Sequence, residues 1–232
     1  MPPAAILFDL GNTILLPHKN DYPAATRALF AHAVNPRGIT LEHFTEVFAG
    51  LYADLETRRA ASLLEIPVAT FQRLLFERLD LTFDLPPDEF AWRFWQLAES
   101  LSPMPGAHQT LAALRQKNIP LAALSNTVVT ASIVEKELAR HDLLRFFTFV
   151  MVSADYGLRK PHAALFLTAA GKLHLPPGSI WYVGDNYDLD VLGAHGAGLT
   201  PIWLNHKNAP HPPTAPANLR SIGRLPEILP LL

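Results

Sequence analysis

The chain has 232 residues, enough for one large domain or two smaller ones around a true core. Apolar residues make up 49% and charged ones 17%, which is a globular composition, and a formal net charge of −2 with interspersed signs leaves no basic face for nucleic acid. Cysteine is absent, excluding disulfides, thiolate nucleophiles and Cys-ligated zinc. The N-terminal apolar run has no basic leader and is soon broken by Asp9, and no run approaches the roughly 18 apolar residues of a membrane span, so a cytoplasmic protein without membrane partners is expected.

Ala5-Ile6-Leu7-Phe8 reads as a buried strand ending on Asp9 and the turn Leu10-Gly11-Asn12-Thr13. A buried parallel strand delivers its C-terminal residue to the sheet edge where open α/β folds bind ligands. The stretch 16–21 reads as a linker. From Tyr22 to about Leu101 the periodicity is helical, with no convincing strand. Thr40 caps a long helix carrying Phe44, Val47, Phe48, Leu51 and Leu55. A second helix runs over 69–79 through Phe71, Leu74, Leu75 and Arg78. A third starts at Pro86-Pro87-Asp88-Glu89 and carries Phe90, Phe94, Trp95 and Leu97. The aromatic residues read as the core of a helical bundle.

Pro103-Met104-Pro105-Gly106 breaks this pattern and strand–helix alternation begins. Helices are expected over 107–117, 131–140, 161–173 and 188–197. Strands are expected over 119–124, 147–152, 180–183 and 200–204, with a last short strand near 218–222 and a helical turn at 225–231. The alternation argues for an α/β fold, a mostly parallel sheet covered by helices on both faces, with the helical stretch inserted between its first and second strands.

Several strand ends are polar and suited to phosphate. One strand runs into Ser125-Asn126-Thr127, where a hydroxyl and backbone N–H groups can hold phosphate oxygens. Lys160-Pro161 puts a lysine ahead of a helix that proline can initiate. Gly184-Asp185 and Asp190 close a third strand with an acidic cluster. In the helical stretch, Arg58 and Arg59 sit near the end of the long helix, where they could bind an anionic substrate or simply form a solvated face with Glu56.

Asp9-Leu10-Gly11-Asn12-Thr13, Ser125 after its strand, Lys160-Pro161, and Gly184-Asp185 with Asp190 together resemble the haloacid dehalogenase-like hydrolase superfamily, in the phosphatase-type subgroup with a helical cap after the first strand. The resemblance spans nearly the whole chain. It implies a Rossmann-like core of residues 1–16 and 102–232, and a helical cap of residues 17–101. By that resemblance Asp9 is the nucleophile, forming an aspartyl-phosphate. Ser125 and Lys160 hold the phosphoryl group; beside what the resemblance implies, Asn126, Gly11 and, from the long helix, Arg58 are further candidates for the substrate site. Mg²⁺ is bound by Asp9, Asp185 and the Gly11 carbonyl, with Asp190 acting directly or through water. The implied substrate is a small phosphate ester, turned over by a monomer or homodimer. Mg²⁺ suits this set because it prefers oxygen donors and keeps several waters.

Gly11 departs from the commonest phosphatase pattern, which places an aspartate there as general acid and base. Loss of such a group costs on the order of 10²–10⁴ in rate. A substitute could come from His18, Lys19, Asp21 or Tyr187, or the substrate could carry a good leaving group. The alternative is an impaired relative that binds a phosphorylated ligand or a protein partner. Dehalogenation fits less well, because the acidic pattern points to Mg²⁺ and phosphate.

Overall fold

The computed structural model describes residues 2–232. In chain order the elements are β1 (Ala5–Phe8), β2 (Leu15–Asn20), α1 (Tyr22–Phe30), β3 (Ala33–Val34), α2 (Leu41–Ser62), α3 (Val68–Leu79), β4 (Thr82–Phe83), α4 (Pro87–Ala98) and β5 (Glu99–Pro103). Then come α5 (Ala107–Gln116), β6 (Leu121–Ser125), α6 (Ala131–Arg140), β7 (Val150–Val152), α7 (Ser153–Tyr156), α8 (Ala163–Leu173), β8 (Ile180–Gly184), α9 (Gly193–Gly196), β9 (Thr200–Leu204) and β10 (Arg220–Ile222).

Six strands form one sheet in the order β10-β9-β8-β1-β6-β7, with every pairing parallel. Alternation along β1 sends Ile6 and Phe8 to one apolar cluster and Leu7 to another, so both faces are covered and the strand reads as an unbroken hydrophobic run. Register decides where the chemistry falls. Phe8 lies opposite Ala123 on β6 and Val183 on β8, so Asp9, Ser125 and Asp185 emerge together at one edge of the sheet.

Between β1 and β6, neighbours in the sheet, the chain inserts α1 to α4, which carry two apolar clusters of their own. One gathers Phe44, Phe48, Phe71 and Leu75; the other gathers Leu29, Phe90 and Phe94. Trp95 turns the other way and joins the cluster on the sheet. Thr40 does cap α2, accepting from the His43 N–H. Leu74 and Leu97, apolar positions on the expected helices, are 48% and 42% exposed.

The stretch read as a linker is a strand. β2 pairs antiparallel with β5, from Leu15 opposite Pro103 to Asn20 opposite Glu99, with a register shift at Pro17/Lys19. Four of its six residues are exposed, so it carries no hydrophobic pattern, and Pro17 supplies no ladder donor. This ribbon is where the chain leaves the sheet for the insertion and returns. Two further corrections lie close to the site. Pro161 sits in a cis-peptide turn, and α8 begins at Ala163 under a cap from His162. The helix expected over 188–197 is a π-helical turn, Tyr187–Leu192, followed by the short α9.

Candidate active site

Asp9 follows directly on β1 and is 7% exposed. Its Oδ1 accepts from Ser125 Oγ at 2.9 Å and from Lys160 Nζ at 2.7 Å, which anchors that oxygen. Lys160 Nζ spends its other two protons on Asp190 Oδ1, at 2.6 Å, and on the Tyr182 hydroxyl, at 2.8 Å. Tyr182 in turn donates to the Leu124 carbonyl at the end of β6. Burial works against the lysine's charge, but the carboxylates of Asp190 and Asp9 and their hydrogen bonds hold its pKa above the ordinary value.

Asp190 arrives through the π-helical turn, where its Oδ2 accepts from the Asn186 N–H at 2.9 Å. The turn packs so tightly on β8 that a side chain at Gly184 would overlap the Asp190 carboxylate. Asp185 leaves β8 beside it, its backbone carbonyl held by Trp203 Nε1 at 3.0 Å. Oxygens of Asp9, Asp185 and Asp190 all lie within 4.8 Å of one another. Burial, then the charges of Asp9 and Asp190, push Asp185 up to about 7. Three crowded carboxylates beside one ammonium form an excess of buried negative charge, and all are hard oxygen donors, so the set fits Mg²⁺. Both Asp190 oxygens are already engaged by Lys160 and Asn186. A bound ion would therefore meet Asp9 and Asp185 more readily than Asp190, whose oxygens are committed to Lys160 and the Asn186 N–H.

Gly11, in the turn two residues beyond Asp9, is exposed, with nothing within 4 Å of where a Cβ would stand. Asn126 turns its side-chain amide to the Lys160 backbone. Arg58 lies away from the others: its side chain is 70% exposed and pairs with Asp54 on its own helix. Its neighbour Arg59 points inward to Glu56 and to the fully buried Glu65. The helical period distinguishes them, because Arg59 falls four residues after Leu55 on the apolar face of α2.

None of the four candidate acids is hydrogen-bonded to Asp9 or Ser125. His18 bonds Ser102 Oγ, Lys19 bonds the Leu97 carbonyl, and Asp21 caps α1 through the Ala24 N–H. Tyr187 packs edge-on against Trp203, and its buried hydroxyl has no partner.

Three features escape the sequence. Tyr182 looks like any apolar strand residue. Glu65 reaches from the segment after α2 into the core, where Ser153 Oγ donates to it at 2.7 Å and Arg159 stands 3.4 Å away. Gln72, a polar residue beside Phe71 on α3, is the only signal of a cavity of about 370 Å³ between insertion and core, which reaches Gly11, Ser125 and Asn126.

Comparison with known proteins agrees with this geometry. The family profile for haloacid dehalogenase-like hydrolases matches residues 3–198. The chain is 31% identical over 140 residues to a phosphoserine phosphatase of Thermus thermophilus, covering 60% of this chain and 55% of the relative. The chain thus spans about half the length of that relative. A ribulose-1,5-bisphosphate 5-phosphatase of Halopiger xanaduensis is 26% identical, with 87% of this chain and 84% of the relative covered. Among solved structures, a 2-haloacid dehalogenase from Pseudomonas syringae pv. tomato superposes with a TM-score of 0.69 at 21% identity, covering 100% of this chain and 98% of that one, a likeness of fold. With the fold, the strand-end residues and a profile match over most of its length in agreement, the chain belongs to the haloacid dehalogenase-like hydrolase family.

Proposed function

We propose that this protein is a Mg²⁺-dependent phosphatase that hydrolyses a small phosphate ester through an aspartyl-phosphate on Asp9. The observation that carries the reading is the shared grip on Asp9 Oδ1 by Ser125 Oγ and Lys160 Nζ, with Asp185 and Asp190 beside it. A carboxylate held this way is an oriented nucleophile, and phosphoryl transfer depends mostly on positioning and charge neutralisation. The names of the relatives, phosphoserine phosphatase and ribulose-1,5-bisphosphate 5-phosphatase, support the same reaction class.

Mg²⁺, held by Asp9, Asp185 and the Gly11 carbonyl, would supply positive charge against the phosphoryl oxygens. An Asp9 oxygen bonds to phosphorus while the bond from phosphorus to the ester oxygen breaks. The departing alkoxide takes its proton from solvent, because Gly11 offers none. Water then attacks the aspartyl-phosphate, releasing inorganic phosphate and restoring the carboxylate. Ser125 and Lys160 hold Asp9 and the transferred group throughout. Residues 17–101 act as a cap over a core of 1–16 and 102–232, a division supported by the insertion's own apolar clusters. The reading carries with it a cytoplasmic protein, monomeric or homodimeric, without nucleic-acid or membrane partners. No helix of the described residues is long and apolar enough to cross a membrane.

Gly11 is the one observation that favours a second reading, a family member that binds a phosphorylated ligand without turning it over. Hydrolysis of phosphate esters graded by leaving-group acidity, with Mg²⁺ and with chelator, separates the two. Turnover that needs Mg²⁺ and disappears in Asp9→Asn is expected; none above that blank would favour the binding role. Mg²⁺ should also raise Tm in the native protein and not in Asp185→Asn, since a ligand that binds only the folded state must stabilise it.

A further inference from the structure

The stretch of the insertion from Leu63 to Val68 is hydrogen-bonded to both loops that grip Asp9. The Glu65 N–H donates to the Gly157 carbonyl at 3.0 Å, and the Arg159 N–H returns a bond to the Leu63 carbonyl at 2.9 Å. Leu64 and Leu158 thereby form an isolated antiparallel bridge, one residue short of Arg159 and two short of Lys160. On the other side, the Val68 N–H donates to the carbonyl of Val128, which follows Ser125 by three residues, at 2.8 Å.

Between these backbone contacts lies the Glu65 carboxylate, fully buried. It accepts from Ser153 Oγ at 2.7 Å, from Arg59 Nη1 at 3.1 Å and from Arg159 Nη1 at 3.4 Å. The Ser153 hydroxyl has one proton and a second acceptor in reach, the Thr127 carbonyl at 3.0 Å. The charge on Glu65 makes it the stronger acceptor. With its proton turned to Glu65, Ser153 Oγ accepts from the Thr127 N–H at 2.9 Å, two residues beyond Ser125. Holding insertion to core does not call for such a cluster, since well-packed apolar residues in place of a buried ionic group often hold at least as firmly. What the carboxylate adds is direction.

We propose that Glu65 is a positioning residue for phosphoryl transfer. It acts through Ser153 on the loop that carries Ser125 and through Arg159 on the loop that carries Lys160, and so sets the two groups that meet on Asp9. The inference rests on the phosphatase reading. It adds to that reading a residue of the insertion whose own carboxylate is buried and spent on Ser153 and two arginines.

Glu65→Gln keeps the length and leaves a neutral acceptor with no advantage over the Thr127 carbonyl, and Ser153→Ala removes the hydroxyl. Steady-state kinetics with p-nitrophenyl phosphate and Mg²⁺, run well below each Tm, reads both. Each change should lower kcat by about tenfold or more and move KM by no more than about threefold, because a small displacement harms the transition state more than binding. The double variant should lose no more than Glu65→Gln alone, since both changes cut one connection. A carboxylate with only a structural role would lower Tm and leave kcat unchanged. That result, or losses that multiply in the double variant, would overturn the proposal and leave the phosphatase reading standing. If the native protein turns over no ester, the phosphatase reading falls and calorimetric binding of inorganic phosphate with Mg²⁺ decides. Affinity weakened in both variants, and no further in the double, upholds the positioning role; equal affinity throughout, or no binding, overturns it.

Discussion

The Asn126 side chain holds the backbone of Lys160 from both sides, its Oδ1 accepting from the Lys160 N–H at 2.8 Å and its Nδ2 donating to the Lys160 carbonyl at 3.1 Å. Asn126 directly follows Ser125. The loop that brings the hydroxyl and the loop that brings the ammonium are thus joined by one amide, and the two groups meet on the same Asp9 oxygen. Removing the amide in Asn126→Ala unties the two loops while Asp9, Ser125 and Lys160 remain. A displacement of about 1 Å costs on the order of 10² in rate. The expected result is a fall in kcat of that order with the protein still folded, read by steady-state kinetics beside a thermal melt. An unchanged kcat would mean the loops hold their places without the clamp.

Gly11 leaves room for the group it lacks. Nothing stands within 4 Å of a Cβ there, so Gly11→Asp is accommodated in place. His18, Lys19 and Asp21 are hydrogen-bonded elsewhere and Tyr187 lies against Trp203, so none of them is bonded to Asp9. Gly11→Asp is expected to raise turnover of esters with poorly acidic leaving groups by about 10²–10⁴ and to change p-nitrophenyl phosphate far less. A flat response across the leaving-group series would reveal an acid already at work.

Much of this arrangement is legible before the structure. β1 and its carboxylate, the Thr40 cap, α6 and β9 follow from apolar runs, caps and helical spacing, because those signals are local. The parallel sheet follows from strand–helix alternation. What is hidden depends on partners far along the chain. β2 carries four exposed residues and a proline, and only its pairing with β5 makes it a strand. The π-helical turn at 187–192 has no residue pattern that sets it apart from an ordinary helix. Arg58 and Arg59 are alike in kind, and roughly 100° of helical rotation puts one in water and the other on the cavity. Gln72 and Glu65 are ordinary polar residues until the core closes over them.

Glu65 joins insertion to core through a buried carboxylate. Its side chain is fully buried, with Arg59 on one side and Arg159 and Ser153 on the other. Ser153 also accepts from the Thr127 N–H, beside Asn126, so the link runs to the site itself. Removing one member of a buried ionic group strands the others, and about 3 kcal/mol is expected for Glu65→Leu, at the lower end because Arg59 keeps Glu56 and both arginines are about one-fifth exposed. Urea unfolding measures it. A cost under about 0.5 kcal/mol would place Glu65 among weak surface pairs.

Glu99 gives stability a defined pH dependence. Burial raises its pKa above the ordinary 4.5, against the opposing hydrogen bond from Tyr22. The folded state therefore holds this proton more tightly than the unfolded chain, so folding is favoured when the group is protonated and loses that contribution as pH rises from 4.5 through the folded value. Glu99→Gln removes the ionisation while an amide oxygen still accepts from Tyr22 and Asn20. Its Tm should exceed the native value at neutral pH, and the gap should close well below 4.5. A gap that is constant with pH would exclude Glu99 as its source.

The central claim is that Asp9 carries the phosphoryl group. Acid quenching during turnover of p-nitrophenyl phosphate with Mg²⁺, followed by peptide mass spectrometry, tests it directly. One phosphoryl group on the peptide containing Asp9, absent in Asp9→Asn and in chelator, is the result expected. Turnover that proceeds undiminished in Asp9→Asn, or a phosphoryl group found on another residue, would contradict the account.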